Sequence, residues 1–116
     1  MKVAILGLGE AGTLYSAGFL SAGWDVSGFD PGDVTTPAGV ARHDDVANAV
    51  AGAELVLSLA SASVAVRAAS DAVPHLRSGA VFADMNSAAV AIKTAVAEVV
   101  GQRDDVTFAD VAVVGS

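Results

Sequence analysis

The chain has 116 residues, 53% of them hydrophobic and only 5% aromatic, and a formal net charge of −7. That size suits one domain with a real core, and its six scattered basic residues exclude a nucleic-acid surface built on clustered Lys and Arg. With no cysteine and two isolated histidines, His43 and His75, neither a disulfide framework nor a zinc site is expected, and no apolar run reaches the roughly 18–20 residues of a membrane span.

Val3 to Leu6 is apolar on both faces, as a buried parallel strand requires. It runs straight into Gly7-Leu8-Gly9-Glu10-Ala11-Gly12. A buried strand ending in Gly-x-Gly-x-x-Gly is how a dinucleotide-binding unit begins. In such a unit Gly7 makes the tight turn, Gly9 lets the backbone approach a pyrophosphate, and Gly12 lets the new helix pack on the strand. The helix from Glu10 to Ala22 would aim its unpaired N–H groups and positive dipole end at the phosphates. Its positions Ala11, Leu14, Tyr15, Gly18 and Phe19 fall on one side, and Gly23 closes it. The Glu10 side chain reads most simply as a first-turn acid that suits the dipole, with its backbone N–H toward the pyrophosphate. Leu8 and Ala11 complete this first block of the expected cofactor site.

Asp25 to Phe29 is the second strand, and it ends at Asp30, 18 residues after Gly12. An acid at this place, about 20 residues past the fingerprint, accepts from the adenosine ribose hydroxyls. Asp30 therefore favours NAD over NADP, whose 2′-phosphate would meet like charge with no arginine close behind. In Asp30-Pro31-Gly32 the same residue also suits a turn initiator. Residues 31 to 39 read as a loop and Val40-Ala41 as a short edge strand. Asp45 to Ala51 reads as a short helix capped by Asp44.

Glu54 to Leu59 is a third apolar strand, followed by Ala60-Ser61-Ala62-Ser63. Ser63 is placed to cap a helix from Val64 to Val73, ahead of Pro74. Ala80 to Ala83 is the next buried strand, reaching Asp84. Ser87 is placed to cap a helix from Ala88 to Val100, with Lys93 on its wet face. Val106 to Ala109 is the last clear strand, and Val111 to Val114 is also extended in character. The alternation predicts an α/β fold: a Rossmann-type, doubly wound, mainly parallel sheet with helices on both faces, in three layers. Ligands of such sheets bind beyond the carboxyl ends of the strands. That adds Leu59, Ala60 and Ser61, whose small neighbours let a cofactor lie against backbone. It also adds Asn86, whose amide both donates and accepts and equally suits turn chemistry.

With these positions placed, the chain resembles the N-terminal domain of the β-hydroxyacid dehydrogenases, the family of 3-hydroxyisobutyrate and 6-phosphogluconate dehydrogenases. Gly7-Leu8-Gly9-Glu10-Ala11-Gly12 is similar to the family's Gly-Leu-Gly-x-Met-Gly, with Ala11 in place of Met. Leu57 to Ala60 stands where the family has a strand ending in Leu-Pro. Asp84-Met85-Asn86-Ser87 stands for Asp-x-Ser-Thr, and Phe108 to Gly115 resembles Phe-x-Asp-Ala-Pro-Val-Ser-Gly. The wording is most similar to a less-characterised, 6-phosphogluconate-dehydrogenase-like branch.

The resemblance implies an NAD-binding domain over residues 1–116. In the parent protein it implies hydride transfer between the nicotinamide cofactor and a small hydroxy acid. It places the proton-handling lysine past Ser116, in a helical second domain, so this chain is expected to be the cofactor half and inactive alone. A cytoplasmic homo-oligomer with no membrane or nucleic-acid partner is also expected. Where the family has a substrate-binding Ser in Pro-Val-Ser-Gly, this chain has Val114. A non-catalytic nucleotide-sensing module remains the alternative reading. A methyltransferase-like use of the sheet fits less well, because the later loops match the dehydrogenase motifs.

Overall fold

The computed structural model describes residues 1–86 and 88–111. Its strands are β1 (Lys2–Leu6), β2 (Asp25–Phe29), β3 (Ala41–Arg42), β4 (Leu55–Ser58), β5 (Val81–Asp84) and β6 (Thr107–Asp110). Its helices are α1 (Glu10–Ser21), α2 (Val46–Val50), α3 (Ala65–Ala72) and α4 (Val90–Val100), with a 3-10 turn at Val73–His75. The strands form one parallel sheet in the order β3-β2-β1-β4-β5-β6. This is the doubly wound α/β fold that the alternation predicts.

Successive side chains of a strand point to opposite faces, so β1 feeds two cores. Val3 and Ile5 join Leu8, Val26, Leu57 and the partly buried Tyr15 and Phe19 on the side of α1. Ala4 and Leu6 join Val56, Phe82 and residues of α2, α3 and α4 on the other. Small residues bring the helices close: Ala65, Ala69 and Ala72 of α3 are all buried. Two buried hydroxyls are bonded to backbone, Ser16 Oγ to Gly12 O and Ser27 Oγ to Ala49 O, each at 2.6 Å. They satisfy donors that burial would otherwise make costly.

Several local expectations need correction. The buried side of α1 is Gly12 and Ser16, flanked by Tyr15 and Phe19, whereas Ala11, Leu14 and Gly18 are exposed. The face is set by how closely Gly12 must approach the turn before it, which outweighs the apolar stripe. The helix stops at Gly23, whose φ of 85° is the left-handed conformation of a helix end. The cap of α2 is Asp45, not Asp44: its carboxylate accepts from Asn48 N–H at 2.7 Å, three residues on. Ser63 does not cap α3, which begins after Val64 with no side-chain cap; the Ser63 hydroxyl instead meets that of Ser61 at 3.1 Å. The last helix begins at Val90 rather than Ala88. Ser87 and Val114, and the extended stretch past Val111, lie outside the described residues.

Candidate functional site

The parallel register lines up the carboxyl ends of five strands: Phe29, Leu6, Ser58, Asp84 and Asp110 are successive neighbours across the sheet. From β1 the chain winds outward to β2 on one side and later returns to β4 on the other. That reversal is a topological switch point, where a crevice opens beyond the strand ends.

The glycines of the first turn meet three different demands. Gly7 turns at a φ of 108° and donates its N–H to Phe29 O at 2.9 Å. Gly12 sits so close to that turn that a Cβ would stand 2.0 Å from Gly7 O. A Cβ on Gly9 would meet nothing within 4 Å. No side chain caps α1, so its first N–H groups have no intrahelical acceptor and face the crevice mouth. An uncapped helix start with open space before it fits a phosphate group. Leu8 differs from its neighbours: its side chain is buried in the core, its N–H is bonded to Asp30, and it lines neither end of the crevice.

Asp30 is tied to this turn. Its Oδ2 accepts from Leu8 N–H and its Oδ1 from Gly32 N–H, both at 2.7 Å. The second bond is the turn chemistry expected of Asp-Pro-Gly; the first joins the end of β2 to the glycine loop. Arg42, on the edge strand, is drawn onto the same loop. Its guanidinium donates to Asp30 O at 2.8 Å, Gly32 O at 2.7 Å and Val34 O at 2.6 Å. An arginine therefore does stand near Asp30, contrary to the sequence expectation. Residues twelve apart are brought together because β3 pairs with β2, with Arg42 opposite Gly28.

A cavity of about 710 Å³ runs from the glycine turn and Asp30 to Arg67 on α3. A second, of about 660 Å³, lies past Ala11 and is walled by Leu14, Tyr15, Met85 and Asn86. Ala11, Leu59, Ala60 and Ser61 border both, so these are two ends of one crevice. Gly7, Gly9, Glu10, Gly12 and Asp30 stand at the first end and Asn86 at the second.

Beneath Asn86 lies a polar cluster that the sequence does not reveal. Asp84 is fully buried. Its Oδ1 accepts from Asn86 N–H at 3.0 Å and from Asn86 Nδ2 at 2.8 Å. Lys93 Nζ lies 3.5 Å from the same oxygen and 2.8 Å from Asp110 Oδ1. The Lys93 side chain is only 15% exposed, so it is not on a wet face. Asp84 Oδ2 and the neighbouring Ser58 Oγ find no partner among the described residues. Neither Lys93 nor Arg67 carried a local signal, because each owes its place to strand order. Among the described residues no group of three or more His, Cys, Asp or Glu side chains could hold a metal ion, and no helix is long and apolar enough to cross a membrane.

A glycine turn at the switch point of a parallel sheet, with an acid closing the second strand, defines a dinucleotide-binding domain. Residues 2–116 match the family model described as the NAD binding domain of 6-phosphogluconate dehydrogenase. The chain belongs to that family and is a nicotinamide-dinucleotide-binding domain. Among curated proteins no sequence matches. A solved structure of a conserved hypothetical protein from Sinorhizobium meliloti 1021 is 28% identical with a TM-score of 0.86, over 100% of this chain and 42% of that one. The 3-hydroxyisobutyrate dehydrogenase of Mycobacterium tuberculosis, solved with L-serine, is 29% identical with a TM-score of 0.85, over 98% of this chain and 40% of that one. An imine reductase from Pseudomonas sp. shares the fold at 24% identity and a TM-score of 0.79, over 96% of this chain and 40% of that one. The chain thus spans about two fifths of the length of these solved relatives.

Proposed function

We propose that the chain is the cofactor-holding part of an NAD-dependent oxidoreductase acting on a small hydroxy acid. The observation that carries this reading is Asp30, bonded to the glycine turn at the head of the larger cavity. A dinucleotide laid along the crevice would set its adenosine ribose at Asp30 and its pyrophosphate at the N–H groups of Gly9, Glu10 and Ala11. Its second nucleoside would pass Leu59, Ala60 and Ser61 toward Asn86. Bound there, the cofactor supplies the hydride chemistry. The residues of this chain hold and orient it, and Tyr15 and Met85 offer apolar walls at the reacting end.

Two features support NAD over NADP. A 2′-phosphate would be set against the Asp30 carboxylate. Arg42, the nearest candidate to neutralise that phosphate, already spends its guanidinium on three backbone carbonyls of the same loop. Asp30→Asn removes the like charge and gives up one of the two backbone N–H bonds, because its NH2 cannot accept from Leu8 or Gly32. It is expected to weaken NAD and to narrow the NAD-to-NADP affinity ratio by about tenfold, one charge-assisted hydrogen bond's worth. Titration calorimetry of both proteins with both cofactors reads this. An unchanged ratio would remove Asp30 from the site.

Large exposed apolar side chains, Leu14, Val90 and Val111, support self-association. Sedimentation velocity is expected to show concentration-dependent association, and a single monomer boundary at high concentration would contradict it.

A further inference from the structure

Ser58 and Asp84 close neighbouring strands at the same level. β4 and β5 pair in parallel with Ser58 opposite Asp84, so both side chains leave the same face of the sheet. That face carries α3 and α4, because Val56 and Phe82, two residues earlier on each strand, pack against those helices. Both side chains are sealed from solvent, at 1% and 0% exposure. One oxygen of Asp84 is well supplied: Oδ1 accepts from Asn86 N–H and Nδ2 and faces Lys93 Nζ at 3.5 Å. The other, Oδ2, accepts from none of the described residues, and Ser58 Oγ has no partner among them either. Lys93 does not serve Oδ2, since its ammonium turns to Asp110 at 2.8 Å. A buried hydroxyl and a buried carboxylate oxygen left dry would each cost more than an ordinary hydrogen bond returns. Neighbouring strands run about 4.8 Å apart. Two oxygens that leave them side by side, and that make no bond to each other, are spaced for one molecule of water between them. Buried waters stand where such unpaired groups meet.

We propose that Ser58 Oγ and Asp84 Oδ2 together hold one internal water as a fixed part of the fold. The water accepts from the Ser58 hydroxyl and donates to Asp84 Oδ2, so both oxygens of the buried acid receive a donor. A metal ion does not suit the gap: hard cations gather about six oxygen ligands or more, and the unpaired side-chain oxygens here are these two. The water matters beyond its own two bonds. Asp84 carries the turn to Asn86, which walls the 660 Å³ end of the crevice. Held by Lys93 on one side and by the water on the other, the acid fixes that wall from beneath. Ser58 thus acts on the crevice only through the water and Asp84.

The test is made on the unmodified chain first. A high-resolution crystal structure is expected to show one well-ordered water within hydrogen-bond distance of both Ser58 Oγ and Asp84 Oδ2. In solution, nuclear magnetic resonance is expected to show cross-peaks between a long-lived water and the Ser58 β protons. A direct bond from Ser58 to Asp84 with no density between them would overturn the proposal. So would a metal ion in the gap, or the absence of the water cross-peaks. The second part compares Ser58→Ala with the parent. The variant takes away one of the two partners of the water, and its cross-peaks are expected to vanish. Hydrogen exchange at the Asn86 amide, which is bonded to Asp84 Oδ1, is expected to quicken about tenfold, the worth of one hydrogen bond lost from beneath the turn. The Ala4 amide in the central strand β1 is the control and is expected to keep a nearly unchanged rate. An Asn86 rate equal to that of the parent would overturn the role of the water beneath the crevice wall. A rise of the same size at Ala4 would overturn it too, by showing a general loss of stability instead.

Discussion

Gly9 and Gly12 look alike in the sequence but answer to different forces. Gly12 has no room for a methyl group, since its Cβ would fall 2.0 Å from a backbone oxygen that has little freedom to move. Gly12→Ala is therefore expected to cost about 1–3 kcal/mol in urea unfolding, the range for overpacking. Gly9 has an ordinary φ of −73° and open space in front of it. Gly9→Val should leave the unfolding midpoint nearly unchanged and abolish cofactor binding, because its side chain would occupy the space before the helix N-terminus. A variant that unfolds early, or one that still binds, would contradict this division. The fingerprint and the spacing to Asp30 were legible because both are set by local turn chemistry and strand length. Arg42 and Lys93 were not legible. Each acts on a loop or strand reached only through the order of the sheet, and a lysine on a helix carries no mark of the two carboxylates that will surround it.

The expected strands and helices match the observed elements to within a residue or two, because buried parallel strands and their glycine stops are strong local signals. Caps were read less well, since adjacent Asp44 and Asp45 offer the same chemistry and only the backbone decides which faces Asn48. Asp45→Ala is expected to lower stability by about 1 kcal/mol, whereas Asp44→Ala should change little. A second element-level tie joins the end of α4 to the start of β6. Arg103 grips Asp105 with two bonds, at 2.9 and 2.6 Å, and also donates to Val73 O and Leu76 O. The Arg103 hydrogen bonds hold the Asp105 carboxyl below its ordinary range, against a smaller opposing effect of burial. A lowered folded value means that the pair's stabilisation is complete above the unfolded value of about 4 and is lost as the pH falls through the folded one. Asp105→Asn is therefore expected to be less stable than the parent at neutral pH. The two unfolding midpoints should converge in acid. A gap that persists at the lowest pH would show that the pair does not titrate with folding.

Across the whole molecule, the alternation of strand and helix was enough to give a parallel sheet, and right-handed crossovers then placed α1 on one face and α2, α3 and α4 on the other. The crevice follows from that winding: β1 and β4 are neighbours whose connections leave in opposite directions. What the sequence could not show was the depth of the crevice or how its two ends join at Leu59 to Ser61, since these depend on how helices settle against the sheet. Phe82, fully buried in the central core, supports that settling. Phe82→Ala is expected to cost about 3–5 kcal/mol in urea unfolding, and a cost below 1 kcal/mol would mean that the core collapses around the gap. The most direct measurement is titration calorimetry of the unmodified chain with NAD and with NADP. The expected result is saturable binding of NAD, at least about tenfold tighter than NADP, from the charge of Asp30 against a 2′-phosphate. Tighter binding of NADP, or heat from neither cofactor, would contradict the reading of the glycine turn and Asp30 as an NAD site.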